Sequence, residues 1–99
     1  MTDDLAMWLD QQLENQRLKG ETLKTMAYAL PGEAARFLTQ TGDFLIGDVY
    51  AKRRVLDDAA EYVRNGAEAA TDGMAVRVRE HLALAYAEQD GYREEWRPT

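Results

Sequence analysis

Residues 41–65, TGDFLIGDVYAKRRVLDDAAEYVRN, decide the fold. Thr41 stands at the head of this stretch as an N-cap, and Gly66 follows it as a stop. At about 100° per residue, Phe44, Leu45, Val49, Ala51, Val55, Leu56, Ala59, Tyr62 and Val63 fall in one broad sector. The spacing predicts a long amphipathic helix, the main helix of the chain. Asp48 and Lys52 fall inside the same sector, acid four residues before base, the favourable order for a helical pair. Lys52 either lays its stem across the core and lifts its ammonium to the rim, or forms with Asp48 a polar spot that fixes register or meets a partner's charge. The opposite side holds Arg53, Arg54, Asp57, Asp58, Glu61 and Arg64, a solvated face with pairs at helical spacing. Ile46 and Tyr50 stack on that polar side, next to Arg53. Either the short segment around Phe37 covers them, or Ile46, Tyr50, Arg53 and Arg54 form an exposed patch with the composition of an interaction hot spot.

The flanks of the main helix read as helical too, because Ala, Leu, Glu, Gln and Arg dominate and β-branched residues are few. A first helix, about residues 3–19, opens at Thr2 or Asp3, carries Leu5, Leu9 and Leu13 on one face, and stops at Gly20. A second, residues 21–30, carries Leu23, Met26, Ala27 and Leu30, and Pro31-Gly32 ends it. Residues 33–39 add a turn or two with Phe37 and Leu38. After the main helix at 42–65 comes a small-residue linker, NGAEAATDG. A last helix, about 73–90, starts at Thr71 or Asp72, turns Met74, Val78, Leu82, Ala85 and Tyr86 inward, and closes at Gly91. The expectation is a single all-α domain over residues 1–99, a small antiparallel helical bundle of four to five helices. Tyr92 and Trp96, four apart, dock the tail 91–99 onto this bundle with Trp8 as neighbour, or else anchor a partner.

Composition limits the function. Eighteen acids against twelve bases give a net charge of −6, which repels phosphate backbones and anionic lipid. The only basic cluster is Lys52-Arg53-Arg54, weak support for nucleic-acid binding. The longest bulky apolar run is Phe44-Leu45-Ile46, too short for a membrane span. The acidic N-terminus has no signal-peptide core. Cysteine is absent, so disulfides, thiolate zinc sites and cysteine nucleophiles are excluded, and a reducing cytoplasm is the expected location.

Motifs for chemistry fail on inspection. Gly42 and Gly47 have the spacing of a phosphate-binding loop, but Asp48-Val49 stand where Lys and Ser/Thr are required. Glu88, Asp90 and Gly91 resemble the middle of a calcium loop whose first and twelfth ligand positions are Tyr86 and Arg97, neither a carboxylate. His81 is the only histidine, and serine is absent. No catalytic residue, cofactor or metal ligand is assigned, and the chain reads as non-enzymatic.

Three blocks carry a resemblance: Asp3-Asp4-Leu5 with Leu9 and Leu13, the stretch VYAKRRVL at 49–56, and LALAYAEQDGYREEWRP at 82–98. They resemble a family of small actinobacterial and actinophage proteins of unknown function, with an AKRR central helix and a C-terminal GYREEWRP signature. The chain departs from that pattern in having TQTGDF without His before the AKRR helix, and Ala85 where the family has Pro. The resemblance implies shared helical packing and transfers no activity. The expected function is protein–protein interaction through Ile46, Tyr50, Arg53 and Arg54, with Tyr92 and Trp96 second. The partner is an unidentified protein; a homodimer stays open. A transcriptional or nucleic-acid-associated regulator is the alternative.

Overall fold

The computed structural model describes residues 4–65 and 69–98. Among them the protein is all helical, with three α-helices: α1 (Asp4–Ala27), α2 (Gly32–Arg64) and α3 (Ala69–Leu84), followed by a 3-10 turn at Glu94–Trp96. Four to five helices were expected from the glycine and cap signals. Two of those signals do not break the chain.

Gly20 does not stop the first helix; residues 3–19 and 21–30 are one helix that ends at Ala27. A glycine inside a helix costs only about 1 kcal/mol relative to alanine, and Gly20 is buried against α2. Thr22 and Thr25 stay helical by donating their hydroxyls to the carbonyls of Leu18 and Glu21. The helix ends at the Pro-Gly signal instead. Tyr28, Ala29 and Leu30 each bond three residues back, Pro31 has no N–H to continue, and Gly32 takes φ 58°.

Thr41 likewise caps nothing. The expected segment 33–39 and the main helix 42–65 are one helix, because 33–40 is rich in helix formers and nothing in it interrupts the ladder. Thr39 bonds back to the Ala35 carbonyl within it. The last helix begins at Ala69 rather than at 73, and ends at Leu84 rather than near 90. Residues 85–92 continue as turns, with Tyr86, Ala87, Gln89 and Tyr92 bonding three residues back and Gly91 at φ 90°. The expected N-cap at Thr2 or Asp3 and the stop at Gly66 lie outside the described residues, as do the side chains of Val63 and Met74.

The chain divides into two compact units, residues 13–51 and residues 1–12 with 52–99. In the first, the second part of α1 and the first part of α2 form an antiparallel hairpin. Its register is fixed by Gln16, whose amide donates to the Leu45 carbonyl at 2.9 Å and to the Asp48 carboxylate at 3.0 Å. One turn and more further on, Lys24 pairs with Asp43 at 2.9 Å. Leu13, Gly20, Ala27, Gly42 and Val49 are buried along this seam. Gly20 and Gly42 allow the helices to touch backbone to backbone: a Cβ on Gly42 would stand 2.6 Å from the Gly20 carbonyl oxygen. The second unit buries Leu5 and Leu9 of α1 and Ala75 and Ala83 of α3.

The apolar sector read from the main helix was too broad. Val49 is fully buried, and Leu45, Leu56 and Ala59 are half-buried, but Phe44, Ala51, Val55 and Tyr62 are exposed. In the hairpin the Gly20–Gly42 approach selects the stripe 42, 45, 46, 49 and leaves the aromatics outside it. On α3 the small residues Ala75 and Ala83 go deepest, while Val78 and Leu82 are half-buried; in the turns beyond its end Tyr86 is half-buried and Ala85 is exposed.

Candidate functional site

Two groups of side chains were singled out by sequence, and the structure treats them differently. Tyr92 and Trp96 come together with Trp8 of α1. The Trp8 ring lies 5.5 Å from both, centroid to centroid, and Tyr92 and Trp96 are 5.8 Å apart edge to face. These are the separations at which aromatic quadrupoles attract. The Trp8 indole N–H donates to the Asp90 carbonyl at 3.0 Å. Gly91 makes that possible, since a Cβ there would sit 2.8 Å from the indole nitrogen. Arg93 lies over Trp96 at 5.2 Å and Arg97 over Tyr92 at 5.7 Å, so the cluster's own arginines occupy ring faces that a partner's cation would seek. Arg93 also pairs with Asp4, and Arg97 with Glu94, whose carboxyl is held below its ordinary value first by that hydrogen bond and then by the arginine's charge. Saturated in this way, the cluster has the chemistry of a clasp.

The second group, Ile46, Tyr50, Arg53 and Arg54, divides. Ile46 is half-buried in the hairpin, with its Cγ1 against Gly20. Tyr50 is 62% exposed. Phe37 does not cover either residue: it belongs to the same helix and is itself 67% exposed. In the other unit, Arg53 reaches Asp10 at 3.6 Å, and Arg54 is exposed. The polar pair inside the apolar sector also has partners outside its own helix. Asp48 accepts from Gln16, and Lys52 donates to the Tyr86 hydroxyl at 3.0 Å. Lys52 is half-buried, its ammonium bonded to the Tyr86 phenol and 4.8 Å from the centre of that ring.

The spacing of Gly42 and Gly47 does not build a phosphate loop, since both lie inside α2. His81 is exposed in the last turn of α3. Among the described residues no three His, Cys, Asp or Glu side chains are grouped to hold a metal ion. None of the helices there is long and apolar enough to cross a membrane. A half-open cavity of about 200 Å³ lies between Ala6, Leu9 and Asp10 of α1, Leu56, Asp57 and Ala60 of α2, and Arg79 of α3. Its lining mixes apolar residues with Asp10, Asp57 and Arg79, and no sequence signal pointed to it, because its walls come from three helices.

Residues 10–98 match the model of a family of unknown function, DUF6221. The chain belongs to this family. The match takes in three quarters of α1, the whole of α2 and α3, and Tyr92 and Trp96, but begins after Trp8. Of the three blocks that carried the resemblance, 49–56 and 82–98 lie inside the DUF6221 match, and the opening Asp3-Asp4-Leu5 lies outside it. No curated protein and no solved structure matches the chain.

Sequence reasoning missed the exposed large apolar residues of the hairpin. Tyr28 is 93% exposed, Phe44 71%, and Met26 50%. Phe44 had been placed in the core by periodicity, and only the position of the Gly20–Gly42 contact shows otherwise.

Proposed function

We propose that this member of the DUF6221 family is a non-catalytic cytoplasmic module that works by binding another protein. The observation that carries the reading is the exposure of Tyr50 at the charged edge of the hairpin. By helical spacing Tyr50 falls on the side of the hairpin that also carries Arg17, Glu21 and the Lys24–Asp43 pair, charges that a partner's polar rim would meet. Large exposed aromatics with a neighbouring arginine are the residues that dominate interface energetics. The net charge of −6 supports a protein partner over nucleic acid.

The test is capture from host lysate with mass-spectrometric identification, comparing the wild type with Tyr50→Ala. A stoichiometric partner held by the wild type and lost in the variant, with helicity unchanged, is the expected outcome. Capture indifferent to Tyr50 removes this edge as the site. Salt-dependent binding to duplex DNA at physiological ionic strength would replace the reading with that of a regulator.

A further inference from the structure

The cavity between α1, α2 and α3 lies wholly within the unit of residues 1–12 and 52–99. Two of its wall positions, Ala6 of α1 and Ala60 of α2, are half-buried alanines. Small side chains there keep the space open, where a leucine would fill it. The same lining carries charges of both signs, Asp10, Asp57 and Arg79. Asp10 is taken up by Arg53 at 3.6 Å. The Asp57 carboxylate has no hydrogen bond or ion pair among the described residues. Arg79 is half-buried and already has a partner, but a guanidinium carries five donors in a fixed fork and can hold a second acceptor. An apolar cleft between helices with a few convergent polar groups is the usual form of a small-molecule site.

We infer that this cavity binds a small zwitterion with an apolar body, an apolar α-amino acid of the size of leucine. Asp57 takes its ammonium, Arg79 takes its carboxylate, and Ala6, Leu56 and Ala60 meet its hydrocarbon side chain. Three observations select that class. The first is size. An engineered cavity of about 150 Å³ takes up benzene. A space of about 200 Å³ therefore holds a body somewhat larger, and its open side leaves room for a charged head group. The second is charge. Asp57 and Arg79 sum to zero, and Asp10 is balanced by Arg53. A ligand of one sign would bring a like charge to one of the two walls, whereas a zwitterion pairs with both. The third is the apolar part of the lining. A polar side chain buried against Ala6, Leu56 and Ala60 would lose its water without gaining a hydrogen bond from those side chains, so a hydrocarbon one is preferred. Tyr50 belongs to the other unit, so this site stands independently of the function proposed above.

The test titrates the full chain with L-leucine and follows backbone amide shifts by NMR. Saturable shifts are expected at Ala6, Leu56, Ala60 and Arg79. Isoamylamine lacks the carboxylate and isocaproate lacks the ammonium. Each is expected to bind at least about tenfold more weakly, because one wall charge is left unpaired. Asp57→Asn keeps the shape of an exposed side chain, so it is expected to retain the circular dichroism of the wild type and to lose about tenfold in affinity for leucine. Ala60→Leu fills the space and is expected to abolish binding at an unchanged or higher melting temperature. If that variant fails to fold, Asp57→Asn decides alone. The absence of saturable shifts with leucine overturns the inference, and so do shifts that map away from the cavity. Equal binding of leucine and either analogue overturns it as well, as does binding that Asp57→Asn leaves unchanged.

Discussion

Trp8 is held at both ends of its indole, the N–H by the Asp90 carbonyl and the ring by Tyr92 and Trp96. Truncating Trp96 removes two ring contacts and the surface that Arg93 covers. Trp96→Ala is expected to lower stability by about 3 kcal/mol, in the range of aromatic truncations, and urea unfolding followed by circular dichroism measures it. Tyr92 behaves differently. Its hydroxyl is buried without a hydrogen-bond partner among the described residues. Tyr92→Phe keeps the ring contacts and removes an unsatisfied group, so the same experiment should show a change near zero or a gain. A loss of about 1 kcal/mol or more for that variant would mean the hydroxyl is satisfied. The pairing of Tyr92 and Trp96 was legible as a spacing of four, and Trp8 as a residue off its helix's leucine line. The role of Gly91 was not legible beyond a stop: φ 90° and the 2.8 Å approach to the indole are facts of three-dimensional placement.

At the scale of the helix, glycines carry most of what sequence reading misjudged. Gly20 was read as a terminator and Gly42 as part of a loop-like spacing, yet both are helical and meet across the seam. Alanine at Gly42 or Gly47 improves helix propensity by up to about 1 kcal/mol in either case. At Gly47 nothing lies within 4 Å of the added Cβ, so Gly47→Ala is expected to raise the melting temperature. At Gly42 the Cβ meets the Gly20 carbonyl oxygen and the Lys24 side chain, both at 2.6 Å. The carbonyl cannot step aside without moving α1, so Gly42→Ala is expected to lower the melting temperature despite the better propensity. Equal gains for the two variants would mean that the helices do not touch there. The Pro31-Gly32 break, by contrast, was readable outright, because proline removes the donor the helix needs and Gly32 takes the φ of 58° that other residues resist.

For the whole molecule, the acidic excess opposes the local pairs. Arg53–Asp10, Lys24–Asp43, Arg93–Asp4 and Arg97–Glu94 are open to solvent, which screens them, and contribute little to stability. The surplus of six negative charges repels at longer range. Raising ionic strength from about 10 mM to about 150 mM shortens the screening length from about 30 Å to about 8 Å. That removes more repulsion between distant acids than attraction between touching pairs, so thermal melts are expected to shift upward with salt; a downward shift would show that the pairs prevail. The all-helical class, the break at Pro31-Gly32 and membership in a family of unknown function were decided by the sequence alone, because helix propensity and a missing backbone donor are local properties and the family match runs along residues 10–98 of the chain. How many helices form, and which apolar residues stay in solvent, were decided only in three dimensions. In the hairpin the exposure of the larger apolar residues turns on one contact between Gly20 and Gly42, residues far apart in the chain, whose backbones approach closely enough to exclude those side chains from the seam.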